Sequence, residues 1–348
     1  MAGRLTYLLC AACLVLGPEE ALARDLTVVS YGGSLQDAVR DAFTAPFGAS
    51  HGVHIADTTY SGDLSAIDAE VKAGDPHWDV VNVGAAQLLP GCRDGDYEMI
   101  TPDAIQDRAA MIPTAVDLSP CGVGMLTGAV VLTYDTARLP IGPTGWADFW
   151  DVVKFPGKRG MKYDPEWTLE VALLADGVAP GDVNTVLNTQ AGVDRAFAKL
   201  DAFKPNIKWW KLGGESVSDL ESGAVVMSAA YNGRIVAANR DQHNHYAMVW
   251  DAGSVYFMDY FVVLKGSPNS KAAMAFIGYA TGAEAQRSMP RYVGYGPANL
   301  AAYKGMDPAL MDELPTEARL RRAVATDDQF WLDHRDALVA RYNAWAAQ

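Results

Sequence analysis

Histidine and cysteine are scarce in this chain of 348 residues, with six of the first and four of the second. The histidines are scattered, and only His243-x-His245 brings two close together. There is no H-E-x-x-H and no cysteine pair with zinc spacing, so the signatures of a zinc site are missing. A G-x-S-x-G elbow is also absent, which removes the usual mark of a serine hydrolase. Gly122-Val-Gly124 lacks both the third glycine of G-x-G-x-x-G and a following helix, which argues against nicotinamide binding. Basic residues are outnumbered, 28 Lys and Arg against 42 Asp and Glu, for a formal net charge of −14. Nucleic acid and anionic membrane surfaces call for basic patches and are poor partners for such a chain. Beyond the first two dozen residues no apolar run is long enough to span a bilayer, so a soluble mature protein is expected.

What is present is a globular composition, half hydrophobic and one fifth charged, long enough for two domains. Residues 1–23 read as a signal peptide: Arg4, an apolar stretch from Leu5 to Leu16, and Ala21-Leu22-Ala23 as the cleavage motif. Cys10 and Cys13 lie in that apolar stretch, and Cys10-Ala-Ala-Cys13 lacks the Leu expected three residues before a lipidated cysteine. Removing the leader leaves Cys92 and Cys121, an even pair in an exported chain, expected to form a structural disulfide. Such a bridge is worth about 3 kcal/mol if unstrained.

Short β-branched runs alternate with helical patterns. Strands are expected at 26–31, 53–60 and 78–83, and a helix over Gln36 to Phe47, where Ala38, Val39, Ala42 and Phe43 share one face. Gly122 to Tyr134 is a long apolar run, a strand or strand pair, and a second α/β unit follows from residue 161. The order implies parallel pairing, and in parallel sheets ligands sit beyond the carboxyl ends of strands. Tyr31-Gly-Gly, Tyr60-Ser-Gly and Gly84-Ala-Ala86 all occupy such ends.

The most informative stretch is Val225 to Lys265. One apolar run ends in Tyr231-Asn-Gly-Arg234, a polar loop is expected next, and a second apolar run carries Asp259 in its middle. A lone carboxylate among Val, Phe, Met and Tyr is costly to bury without a partner. That partner could be Arg234, a backbone donor or a cationic ligand.

Val29-Ser-Tyr-Gly-Gly33, Trp78-Asp-Val-Val81, Trp146-Ala-Asp-Phe-Trp150 with the Gly157-Lys-Arg-Gly160 turn, Tyr231-Asn-Gly233, Met258-Asp259 and Tyr295-Gly-Pro-Ala-Asn-Leu300 follow one another in a telling order. Together they resemble the periplasmic substrate-binding proteins of ABC importers, in particular the spermidine/putrescine-binding branch. The resemblance implies an α/β, two-lobed periplasmic-binding-protein fold, type II-like, with a ligand cleft between the lobes. Lobe 1 would comprise 24–133 and 258–303, and lobe 2 would comprise 134–257 and 304–348. It further implies a non-enzymatic, monomeric receptor without metal or cofactor, working in the periplasm with permease subunits and a small amine-bearing ligand as partners. Carried over by position, Asp259, Phe257 and Tyr231 fall where that branch has its crossover carboxylate and aromatics. Asp164 and Glu166 fall where the second amine is held, and Tyr31, Tyr60 and Tyr295 at strand ends of the first lobe. A polyamine such as putrescine or spermidine is therefore the first expectation. Arg234 departs from the pattern, because a guanidinium repels a diamine and forks well onto a carboxylate. With Asp259 for an amine, Arg234 suits the alternative, a zwitterionic ω-amino acid such as γ-aminobutyrate. Ferric-ion binding through Tyr292 and Tyr295, or an enzyme using Asp164 and Glu166, would be weaker rivals.

Overall fold

The computed structural model describes residues 24–242 and 244–348. The leader with its cleavage motif, Cys10 and Cys13, and His243 lie outside the described residues. The described residues form eleven strands: β1 (Leu26–Ser30), β2 (Ile55–Thr59), β3 (Val80–Gly84), β4 (Gly122–Asp135), β5 (Arg159–Lys162), β6 (Ile207–Trp210), β7 (Met227–Tyr231), β8 (Tyr246–Met248), β9 (Val255–Val263), β10 (Gly296–Pro297) and β11 (Val324–Ala325). The main path runs β2-β1-β3-β9-β4-β7-β5-β6. Parallel pairing holds β1 to β2 and β3, and β5 to β6 and β7, as strand-helix alternation requires. Between these two parallel blocks lie the two longest strands, β4 and β9, antiparallel to each other.

These two strands carry the chain between two hydrophobic cores. The first core takes residues from Leu26 to Leu126 and from Met258 to Ala298. The second takes Val130 through Ala229, Val255, and Val324 through Tyr342. The switch thus falls between Leu126 and Val130 on β4 and between Val255 and Met258 on β9. Both strands are buried along much of their length, and each lobe covers its own block with helices. Cleft-facing side chains on β9 therefore stand on a scaffold shared by both lobes.

Local sequence explains most elements. Helical residues 33–51 bury Ala38, Val39, Ala42, Phe43 and Phe47 along one face, against the first core. One expectation fails: the segment after Arg234 is a helix, Asn232–Gln242, where a polar loop was expected. Its Ile235 and Ala238 are buried against Leu220, Val225 and Ala230, so a small third cluster overrides the polar composition. Asp79 of the Trp-Asp-Val-Val stretch is fully buried and accepts from Arg24 (2.7 Å), the Thr27 amide (2.7 Å), Ser267 (2.5 Å) and Asn269 (3.1 Å). That motif ties together the start of β1, the start of β3 and the segment after β9. Cys92 and Cys121 form the expected disulfide, with Cα atoms 5.7 Å apart, pinning the end of the helix Ala85–Asp94 to the start of β4. The described residues contain no helix long and apolar enough to cross a membrane.

Candidate functional site

The chain leaves β1 through Tyr31-Gly32, β3 through Gly84-Ala85-Ala86 and β7 through Tyr231, and all three exits open on one cleft. The cleft has a volume of about 420 Å³. Phe257, Met258 and Asp259 of β9 line it between the lobes. Tyr31, Tyr295 and Val293 contribute from one side, and Glu166, Trp167, Gly213, Tyr231 and Arg234 from the other. Asp328 enters from the first turn of the helix Asp328–Ala346.

Phe257 is the hub of the aromatic wall. Trp167 stacks on it at 5.1 Å, while Tyr231 and Tyr295 meet it edge-on at 5.8 and 6.3 Å. Close backbone approach makes room for these rings. Phe257 pairs across the ladder with Gly128 of β4, where an added Cβ would lie 2.2 Å from the ring. Likewise, a Cβ on Gly233 would lie 2.5 Å from the Tyr295 ring. Asn232 fixes the same corner, accepting from the Ala129 amide at 3.0 Å and donating to the Gly294 carbonyl at 2.5 Å. Trp167 sits at φ 68, a left-handed backbone that a bulky residue rarely adopts and that costs on the order of 1–3 kcal/mol. Its indole donates to Thr326 at 3.0 Å, and Lys162 lies 4.0 Å over its ring. Contacts to the ring and at the nitrogen hold the strained residue in place.

Charge is distributed unevenly over this wall. Burial pushes the Asp259 carboxyl up to about 7, opposed by the nearby Asn82 amide. Asp328 is also pushed up to about 7, by burial and by the carboxylates of Glu166 and Asp327. The tyrosines stay neutral: burial holds Tyr31 and Tyr231 well above their usual range and Tyr295 at about 12. Arg234 is exposed in the cleft, and among the described residues its guanidinium has no hydrogen bond or ion pair. Its charge is felt by Tyr231 and Tyr295, which places it on the aromatic wall.

Of the nine residues expected at the site, Tyr31, Glu166, Tyr231, Arg234, Phe257, Asp259 and Tyr295 line the cleft. Tyr60 does not: it stacks behind Tyr31 at 5.3 Å and donates to the Asn82 carbonyl at 2.7 Å. Asp164 is off the wall too, because Arg335 takes its carboxylate at 2.8 Å. The same guanidinium holds Glu166 at 2.7 Å. The two acids expected to receive a second amine are thus already joined by one cation from the C-terminal helix. Arg234 and Asp259 do not pair with each other, so that option for Asp259 is closed. Trp167 and Asp328 were not anticipated. Trp167 carried a weak signal, following two acids in Asp-Pro-Glu-Trp, whereas an acid opening a helix, as at Asp328, reads as ordinary capping. Tyr292 is exposed (45 %) while Tyr295 lines the cleft, so the two do not form a pair for ferric ion. Among the described residues no cluster of His, Cys, Asp and Glu is arranged to hold a metal.

The family model for bacterial extracellular solute-binding proteins matches residues 42–316. This chain belongs to that family. As a member it is a substrate-binding component of ABC transport. It is 42 % identical over 330 residues to a γ-aminobutyric acid-binding protein of Pseudomonas aeruginosa, covering 94 % of this chain and 93 % of that one. Among solved structures, the Atu4243-GABA receptor superposes with a TM-score of 0.82 at 33 % identity, over 93 % of this solute-binding protein and 98 % of the receptor. The spermidine/putrescine-binding periplasmic protein of Escherichia coli is more distant, 20 % identical over 314 residues and 88 % of each chain. Family membership is as the sequence implied. The particular resemblance to the polyamine branch is the weaker of the two likenesses.

Proposed function

We propose that this protein is a periplasmic receptor for a short ω-amino acid of the γ-aminobutyrate class, which it captures between its lobes and delivers to a membrane permease. One observation carries the reading: an unpaired guanidinium, Arg234, shares an aromatic-walled cleft with the carboxyl of Asp259. Arg234 would take the ligand carboxylate through paired N–H donors, and Asp259 the ammonium. Phe257, Tyr231 and Trp167 would cover the methylene chain, whose burial is worth about 25 cal/mol per Å². A diamine is disfavoured on two counts. Arg234 would repel one of its ends, and Arg335 already satisfies Asp164 and Glu166. The 42 % identical relative, named for γ-aminobutyric acid, supports the same choice. We take the two lobes, meeting on β4 between Leu126 and Val130 and on β9 between Val255 and Met258, as the closing bodies.

Calorimetric titration with γ-aminobutyrate, putrescine and spermidine tests this. The expected result is tight binding of γ-aminobutyrate alone, lost by at least about a hundredfold in Arg234→Ala, as for a partly desolvated charge-assisted pair. Binding of putrescine that is unchanged or tightened by Arg234→Ala would overturn the proposal and restore the polyamine alternative.

A further inference from the structure

Asn82 is fully buried on β3, two residues before Gly84, which lines the cleft. Its register places it. Gly84 stands opposite Asp259 and Asn82 opposite Phe261 in the antiparallel β3–β9 ladder. Residues two apart share a face, so Asn82 is the diagonal neighbour of Asp259, with only a glycine beside it. The Asp259 side chain can therefore lean across Gly84 toward the amide. Asn82 is held at two other points: its side-chain nitrogen donates to the Tyr260 carbonyl at 3.2 Å, and its backbone carbonyl accepts from the Tyr60 hydroxyl at 2.7 Å. Its side-chain oxygen is buried with no hydrogen-bond donor among the described residues. Buried polar atoms are rarely left so, and each one calls for a partner.

We infer that Asn82 is the positioning residue of the amine subsite, orienting the Asp259 side chain and setting its charge by offering an N–H to the carboxylate and an oxygen to the carboxylic acid. The inference rests on the proposed role of Asp259 in taking an ammonium and goes one step behind it. An amide is suited to the task because it carries donor and acceptor on one group. With the cleft empty, a protonated Asp259 donates to the orphaned oxygen. When a cation arrives, the carboxylate gives up its proton and takes the amide N–H instead. Hydroxyls around Asp259 also donate and accept, but those of Tyr60 and Tyr260 already donate to the Asn82 and Thr114 carbonyls. Tyr31, Tyr60, Tyr260 and Tyr295 feel its charge, but burial keeps all four neutral. Across the cleft, Arg234 is free for the ligand, Glu166 is held by Arg335, and Asp328 carries the same sign as Asp259. The Asn82 amide is the group that opposes the effect of burial on Asp259.

The test follows the Asp259 carboxyl carbon by ¹³C NMR in the ligand-free protein, with Asp259→Asn to assign the signal. Asn82→Leu keeps the volume and removes both polar atoms; Asn82→Ser keeps one hydroxyl that both donates and accepts. The expected midpoint of Asp259 rises by about one pH unit or more in Asn82→Leu, with Asn82→Ser in between. The pH profile of γ-aminobutyrate affinity moves up by the same amount, and well above the midpoint affinity returns to within about threefold of the unsubstituted protein. A midpoint that stays put in both variants, or in Asn82→Ser alone should Asn82→Leu not fold, overturns the inference. So does an equal loss of affinity at every pH, the mark of a residue that only packs. Because the carboxyl titration needs no ligand, failure of γ-aminobutyrate to bind would strike the proposed function and leave this reading to its own test.

Discussion

Two aspartates looked alike in the sequence and have opposite fates in the fold. Asp259 stands on β9 between the lobes, raised by burial and with no cationic partner among the described residues. Asp164 stands behind the wall, held by Arg335 at 2.8 Å with Lys162 at 3.9 Å. An ammonium about 4 Å from a carboxylate gains roughly 4 kcal/mol at an effective dielectric of 20, before desolvation is deducted. Asp259→Asn should therefore weaken γ-aminobutyrate by at least about a hundredfold without lowering the melting temperature, since the buried charge that costs stability is gone. Asp164→Asn should do the reverse, losing about 1–2 kcal/mol of stability as a part-buried pair breaks, with affinity unchanged. Paired calorimetry and urea denaturation on the two variants would show the contrast. Equal losses of affinity would mean that Asp164 reaches the ligand after all.

At the scale of elements, the site depends on how closely β4 and β9 approach. Gly128 lets the Phe257 ring lie flat over the ladder, and the ring in turn supports Trp167, Tyr231 and Tyr295. Gly128→Ala puts a methyl 2.2 Å from that ring, and overpacking of this kind costs about 1–3 kcal/mol. We expect lower stability in urea together with a loss of ligand affinity, since the ring that must move is the hub of the wall. Unchanged affinity would show that Phe257 is only a lobe-packing residue. Strands such as Val80–Gly84 and Val255–Val263 were legible because their β-branched and aromatic runs end at glycine or a turn. The helix Asn232–Gln242 was not, because its stability comes from Ile235 and Ala238 meeting Leu220 and Val225, and no local pattern records that. The same applies to the site. Tyr231, Phe257 and Asp259 lie within one stretch and could be read together. Trp167 and Asp328 join them only through the fold, and Arg335 cancels Asp164 from 171 residues away.

For the whole molecule, the acids raised by burial make stability and binding respond to pH in opposite senses. Asp259 and Asp328 stand at about 7 and the fully buried Glu170 at about 8, against ordinary values of 3.8 and 4.5. Between those limits the folded chain holds protons that the unfolded chain has released, so folding stability falls as pH rises from about 4 to about 8. The acids lowered by hydrogen bonds, including Asp176 to Arg195 and Asp148 to Lys154, act below that window. Arg159, lowered to about 10 by burial, acts above it. Binding runs the other way. A short ω-amino acid keeps both charges from about pH 5 to about 9, by analogy with Glu and Lys side chains, but its ammonium needs an ionised Asp259. Each pH unit below about 7 should therefore weaken it by close to tenfold. Thermal melts with and without γ-aminobutyrate would read both effects. Without ligand, the midpoint at pH 5 should exceed that at pH 8 by several degrees, as a difference of about 1 kcal/mol moves it by about 2–4 °C in large domains. With ligand at a fixed concentration, the upward shift should be larger at pH 8 than at pH 5. A ligand-free melting temperature that is flat across this range would mean that the buried acids are ionised in the empty cleft. Asp259 would then meet its ligand without first losing a proton.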